Sequence, residues 1–410
     1  MSNEPQQRVR FPKQGRPRAD LMNQMAWLAE GDAAWRSGRV PLYVFGATPE
    51  VAELGREAFF AFFAENALGA RRAFGSLKRM EEEVVAMSLD LFHAPDGAAG
   101  NMTTGGTESI VIAVKACRDW TRTRRGAPRH RGNVVLPVTA HPAFDKAARL
   151  MDLETRRIPV RVDLRADPPA MAAAIDQETI MLVGSAPCFP YGVIDPLGEL
   201  SSLAVTRDLW LHVDACVGGY LAPFMRDLGQ PIPDFDFTLA GTASLSADLH
   251  KFGFCPKPAS TVFFRDAARA RAASFDLDVW PSGRFTTATI VGTRPGGGVA
   301  AAWAVLNSLG REGYRAIASR LLHMRDAYIE GIRSIDGLSV YGEPDLTILS
   351  FGSENVSIGA VADAMAARGW VPGMIREPPG MHLMLSLLHE GARDAFLADL
   401  AHSVAAAPRT

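Results

Sequence analysis

Lys251, Asp214 and the glycine pair Gly105 and Gly106 are the residues whose types and settings suit chemistry. Lys251 follows His250 and precedes Phe252 and Gly253, within a run of small polar residues and prolines from Ser244 to Pro258. Burial in such a setting disfavours an ammonium and frees the amine to attack a carbonyl. A lone His-Lys pair is ordinarily a surface feature, because buried lysines are rare. Two other stretches change that reading. Trp210 to Gly219 is an apolar run in which Asp214 sits where a strand meets a glycine pair. Thr103 to Ser109 is a glycine-rich turn leading into an apolar helix, and its backbone N–H groups suit a phosphate, with the Thr107 hydroxyl as a further donor. A lysine for a carbonyl, a carboxylate to keep a ring nitrogen protonated and a phosphate-cradling turn are what pyridoxal phosphate requires of a protein.

Other residues join this set with alternatives open. His141 opens a helix after a strand, where it can stack on a flat ring or simply be structural. Lys257 lies six residues past Lys251 and can bind an anionic substrate group or sit solvated in a turn. Asp214 itself can cap a helix instead. The order glycine turn, His141, Asp214, Lys251, each beside an expected strand end, is what ties the set together.

Bulk properties narrow the class. At 410 residues, two domains are expected. Apolar residues at 48% and charged residues at 21% are those of a soluble globular enzyme. A net charge of -2 argues against bulk attraction to nucleic acid or anionic lipid, although local patches can be basic. The four cysteines, Cys117, Cys188, Cys216 and Cys255, lack the spacing of a zinc site or a disulfide frame, which implies free thiols in a reducing compartment and no metal. No apolar segment follows a basic start, and the longest apolar stretch, Val299 to Leu306, is too short to span a bilayer. The expectation is a cytoplasmic enzyme acting on a small molecule, with no membrane span and no nucleic-acid partner.

The elements that position these residues follow the chain. Residues 1–50 read as an arm plus an amphipathic helix, Leu21 to Trp35. Residues 51–295 read as the large domain. Its strands are expected at Asn133 to Thr139, Thr155 to Val160, Thr179 to Gly184, Leu209 to Val213 and Thr261 to Phe264, with helices between them. Glu81 to Glu83 read as a solvated helix face, and the arginine-rich run Arg118 to Arg131 as a solvated loop. Repeated βα units imply an α/β fold with a mostly parallel sheet, and ligands collect at the carboxyl ends of such strands. Thr139 to His141, Ser185 to Pro187 and Asp214 to Cys216 fall there. Pro295 to Gly298 marks a boundary, and residues 296–410 read as a smaller α+β domain opening with two helices, Val299 to Leu309 and Tyr314 to Ser334.

Six segments carry a resemblance. They are Thr104 to Ile110, Ala140 to Ala148, Gly184 to Pro196, His212 to Gly219, Ser246 to Lys251 with Pro256 and Lys257, and Gly292 to Gly297. Gly369-Trp370, Pro378-Pro379 and Leu387 to His389 extend it. The chain resembles the sphingosine-1-phosphate lyase family, within the group II decarboxylase superfamily of fold-type I pyridoxal-phosphate enzymes, over roughly residues 20–405. The resemblance implies a homodimer with active sites at the subunit interface. It implies that Lys251, Asp214 and His141 are catalytic, and that Gly105, Gly106, Thr107, His250 and a partner's Thr293 complete the cofactor site. Asn66, Cys216 and Lys257 become the substrate-binding set. The implied reaction breaks the Cα–Cβ bond of a phosphorylated β-hydroxy amine, giving a fatty aldehyde and phosphoethanolamine.

The sequence departs from that pattern around the substrate. The family's Asn-Pro-Leu-His-Pro-Asp loop corresponds to Asn66 to Gly75, with Gly69 at the histidine position. Two family tyrosines correspond to Phe45, with Tyr43 two residues away, and to Phe285. A site that loses such polar partners changes its discrimination by orders of magnitude; Arg71, Arg72 and Arg284 are candidates to replace the charge. An amino-acid decarboxylase on the same scaffold and a cofactor-binding protein without turnover are the competing readings.

Overall fold

The computed structural model describes residues 9–70 and 72–409. Among the described residues three α-helices precede the main sheet: α1 (Arg18–Ala29), α2 (Pro49–Ala61) and α3 (Gly75–Leu91). The sheet has seven strands: β1 (Ala99–Thr103), β2 (Asn133–Pro137), β3 (Glu154–Ile158), β4 (Thr179–Ser185), β5 (Trp210–Asp214), β6 (Thr242–Ala247) and β7 (Ser260–Phe264). Its order is β1-β7-β6-β5-β4-β2-β3. Strands β2 to β6 pair in parallel, while β7 runs antiparallel to both β6 and β1. The connecting helices are α4 (Gly106–Arg125), α5 (Ala143–Leu150), α6 (Pro168–Ala173), α7 (Leu197–Arg207), α8 (Ala222–Asp227) and α9 (Ala267–Ala273).

Alternation along the strands divides the core between two faces. Val134, Leu136 and Val183 pack with Ile110, Val114 and Phe144 of α4 and α5. Val135, Leu182 and Leu211 face the opposite cluster, with Leu197 and Leu200 of α7. Both faces are covered, as a parallel sheet requires. Strand β6 is buried although its sequence is small and polar. The Ser244 hydroxyl accepts from Trp210 Nε1 at 2.7 Å and meets His212 Nδ1 at 2.7 Å, so its polar group is satisfied inside the sheet.

Beyond the sheet, β8 (Phe275–Leu277) and β9 (Phe285–Thr287) form a hairpin. Helix α10 (Gly296–Arg333) breaks at Gly310, whose φ of 51° divides it between the two expected helices. A four-stranded antiparallel sheet follows, in the order β10 (Ser339–Val340), β11 (Ile348–Gly352), β13 (Pro379–Met384), β12 (Gly373–Arg376). Helices α11 (Ile358–Ala367) and α12 (Arg393–Ala406) complete it. No helix among the described residues is long and apolar enough to cross a membrane.

Three expectations are corrected. The helix over Leu21 to Trp35 stops at Ala29 and is not amphipathic in its packing: Leu21, Met25, Trp27 and Leu28 are all exposed. The arginine run is a loop only beyond Gly126; Arg118, Arg122, Arg124 and Arg125 ride on α4, Arg118 pairing with Asp119 and Arg124 with Asp208. Glu82 and Glu83 do pair along their own solvated helix, but Glu81 turns inward to a bidentate contact with Arg294.

Candidate active site

The carboxyl ends of β1, β2, β4, β5 and β6 and the start of β7 meet at one edge of the sheet, and a cavity of about 430 Å³ opens there. Its lining includes Gly105, Gly106 and Thr107 after β1, His141 after β2, Asp214 and Cys216 at β5, and His250 and Lys251 after β6. Thus eight residues singled out from the sequence share one cavity.

Each is held by its element. Gly105 caps α4, which places the turn's backbone at a helix N-terminus. Gly106 has to be glycine: a Cβ there would lie 2.8 Å from Cys216 Sγ and 2.9 Å from Asp248 Oδ2. His141 accepts from the Ala143 N–H through Nδ1 at 3.2 Å, which leaves Nε2 to carry the proton of the neutral ring. Asp214 is buried, and its Oδ1 accepts from the Cys216 N–H at 3.1 Å and from the Ser246 hydroxyl at 3.4 Å. Beneath it His212 is fully buried, and burial lowers its pKa to about 4, against a smaller opposing pull from Asp214. Burial also raises the Cys216 thiol, as do Asp214 and Asp248, so this cysteine is a neutral wall.

Asp248, not identified from the sequence, organises the lysine. It is buried, lies 3.0 Å from Lys251 Nζ and accepts from the Ser260 hydroxyl. The expectation that burial frees the amine fails here. Burial does work to lower the Lys251 ammonium, but Asp248 above all outweighs it and holds the pKa above the ordinary lysine range. Burial tends to raise Asp248 in turn, and Lys251 and His250 bring it below the usual carboxylate range. The His250 Nδ1 accepts from the Ala259 N–H at 3.3 Å, with Nε2 3.7 Å from Asp248.

Residues 74–353 match the family model of the pyridoxal-dependent decarboxylase conserved domain. A sphingosine-1-phosphate lyase of Arabidopsis thaliana is 40% identical over 394 residues, 94% of this chain and 72% of that protein. The solved structure of a sphingosine-1-phosphate lyase of Burkholderia pseudomallei has a TM-score of 0.92 at 38% identity, covering 97% of this chain and 93% of that one. The chain belongs to the sphingosine-1-phosphate lyase family. A probable L-tyrosine/L-aspartate decarboxylase of Methanothermobacter thermautotrophicus is also similar, 34% identical over 323 residues, 79% of this chain and 86% of that protein.

As a member of this lyase family the chain has the fold-type I architecture and is a lyase dependent on pyridoxal 5′-phosphate. The cavity fits that cofactor. The turn at Gly106 is a cradle that a side chain would fill, and the lining offers an amine, a buried carboxylate and an imidazole.

Three residues of the sequence set stand outside the lining. Asn66 donates from Nδ2 to the Thr293 hydroxyl at 3.3 Å, so these two meet each other. Lys257 donates to the Tyr43 carbonyl at 3.0 Å, and partial burial, then the Lys251 charge, pull its ammonium below the ordinary lysine range.

The departures from the lyase pattern also have structural settings. A Cβ at Gly69 would come 3.2 Å from the Phe74 ring, which occupies that flank. Phe45 packs edge-on against Phe252, and Phe285 lies on the β8–β9 hairpin against Phe275 and Trp280. Arg284 is spent on Asp276 of the same hairpin, and Arg72 is exposed; Arg71 lies outside the described residues.

Proposed function

We propose that this lyase cleaves the Cα–Cβ bond of a phosphorylated long-chain β-hydroxy amine of the sphingosine 1-phosphate type, releasing an aldehyde and phosphoethanolamine. The observation that carries this reading is the single cavity shared by Lys251, Asp214, His141 and the turn Gly105 to Thr107. When bound, pyridoxal phosphate supplies an electron sink for the pair left on Cα as the bond breaks. In this reading Lys251 holds the cofactor covalently and is the amine from which Cα is reprotonated, with Asp248 keeping it charged for that step. Asp214 holds the proton on the ring nitrogen, and His141 covers the ring face. The backbone of Gly105, Gly106 and Thr107 takes the phosphate, with His250 beside the turn and Cys216 as a neutral wall. Residues 51–295 form the cofactor domain and 296–410 the smaller one. The four cysteines are free and buried, which supports a cytoplasmic setting.

Lys257 and Asn66 are assigned to the substrate's phosphate end. For Lys257→Met the expected result is a KM for the phosphorylated amine raised about tenfold or more, from the loss of one charge-assisted hydrogen bond, with kcat little changed. Steady-state kinetics check this, and an unchanged kcat/KM removes Lys257 from the site.

A homodimer belongs to the same reading. Met25, Trp27 and Leu28 of α1, Phe60 and Phe63 near the end of α2, and Trp280 and Ile290 are large apolar side chains that this single chain leaves exposed. Thr293 also lies outside its own chain's cavity lining, as a residue serving a second copy would. Sedimentation velocity is expected to give twice the chain mass of 44.2 kDa; a species of one chain mass contradicts the shared site.

The test of the reaction itself is product identity. A protein that releases carbon dioxide from an amino acid, and no aldehyde from the phosphorylated amine, is a decarboxylase on this scaffold.

A further inference from the structure

Glu108 stands in the first turn of α4 and lines the cavity, yet no role in the reaction described above uses it. Its side chain is buried, and its carboxylate accepts four hydrogen bonds. Oε2 takes the Thr104 N–H and the Thr104 hydroxyl, both at 2.7 Å. Oε1 takes the backbone N–H groups of Ile290 at 2.9 Å and Val291 at 3.1 Å. The first pair resembles ordinary helix capping, in which an acidic residue reaches back to donors ahead of the first turn. The second pair does not, because its donors lie 182 and 183 residues away.

The two oxygens tie two particular segments. One is the glycine turn, Thr104 to Thr107, which lines the cavity. The other is the loop that leads to Thr293. That loop is anchored again just beyond Thr293, where Arg294 makes a bidentate contact with Glu81 at 2.8 and 3.1 Å and its carbonyl accepts from the Ala67 N–H at 2.9 Å. Thr293 therefore sits between two carboxylate anchors, and Glu108 is the one shared with the phosphate turn. A negative charge on a phosphate-binding turn repels the phosphate, so its presence needs an offsetting gain. Fixing both the turn and the loop in one geometry before the cofactor arrives provides that gain, because the ordering cost is then met on folding and not on binding.

We propose that Glu108 is a positioning residue for the cofactor phosphate, acting through the glycine turn and the Thr293 loop. This rests on the assignment of the phosphate to that turn. The step is binding only; no bond is made or broken by Glu108.

The experiment uses the full-length holoprotein and follows pyridoxal 5′-phosphate retention by absorbance after rapid desalting, together with kcat at saturating cofactor. Glu108→Gln keeps the size but points an amide N–H₂ at donors on one side. Glu108→Asp keeps the charge but is too short to span both segments, and it stands in if the glutamine variant does not fold. For either variant the cofactor dissociation rate is expected to rise about ten- to hundredfold, with kcat at saturating cofactor within about threefold of wild type. Adding Thr293→Ala to Glu108→Gln is expected to cost much less than Thr293→Ala costs alone, because both act through one loop. Unchanged retention in both Glu108 variants overturns the proposal. So do fully additive effects of the two substitutions, or a collapse of kcat with retention intact. A wild-type protein that fails to retain the cofactor overturns instead the assignment underneath, and this proposal with it.

Discussion

Replacing Lys251 with alanine is expected to lower kcat by about 10⁴-fold or more, because in the proposed reading it removes the covalent anchor of the cofactor and the amine that returns a proton to Cα. Borohydride treatment of the wild-type holoprotein is expected to fix the cofactor to the peptide carrying Lys251, and to fix none in the variant. The substitution has a structural cost that can be separated from the chemical one. Asp248 keeps the Ser260 hydroxyl and His250 but loses the ammonium 3.0 Å away, leaving a buried carboxylate short of its partner. The melting temperature of Lys251→Ala therefore falls. The double variant Lys251→Ala/Asp248→Asn recovers that stability and none of the turnover. Turnover retained in Lys251→Ala, or cofactor fixed at another lysine, ends the assignment.

Asp214→Asn is expected to have the second largest effect. The carboxylate is buried at the end of β5 and oriented by the Cys216 N–H and the Ser246 hydroxyl. Asparagine keeps the shape and an acceptor for the Cys216 N–H but carries no charge to hold a ring nitrogen protonated. Losing one preorganised electrostatic partner of this kind costs roughly 10²- to 10³-fold in kcat. Cofactor retention is expected to change far less, since Lys251 and the glycine turn are untouched. The apoprotein is expected to melt no lower than wild type, because a buried charge has been removed without removing its donors. Equal losses in retention and kcat would make Asp214 a residue of the fold and not of the chemistry.

The parts of this site that were legible in the sequence are those where residue type alone limits the options. Gly105, Gly106, Asp214 and Lys251 each stand at a junction between an apolar run and a turn, and strands β2, β4 and β5 are rich in Val, Ile and Leu. Strand β6 was not legible, because Ser244 and Ser246 look solvent-facing until Trp210 and His212 are seen to satisfy them. Strand β1 carries a glycine and an asparagine and pairs with β7 alone, so it lacks the apolar signal of a central strand. Arginines concealed the second half of α4 because their charge suggests a loop while their stems lie on a helix.

Asp248 and Glu108 were missed for a different reason. Both lie inside motifs already singled out, and each joins a nearby partner to a distant one: Asp248 joins Lys251 to Ser260 across the β6–β7 pair, and Glu108 joins Thr104 to Ile290 and Val291. A carboxylate three residues before Lys251, on the approach to a buried amine, was the available signal for the first. Nothing local marks the second, since an acidic residue in a first helical turn is expected on capping grounds alone. Burial alone gave the wrong sign for Lys251 because desolvation was weighed without the carboxylate three residues earlier, which the fold brings to 3.0 Å from the amine.

The most direct measurement is mass spectrometry of the products after the cofactor-loaded protein is incubated with sphingosine 1-phosphate. Phosphoethanolamine and a long-chain aldehyde are expected in equal amounts, formed although Gly69, Phe45 and Phe285 replace polar residues of the family pattern. A folded protein with its cofactor bound that forms neither product rules out this substrate, and points to another β-hydroxy amine or to an amino acid that loses carbon dioxide.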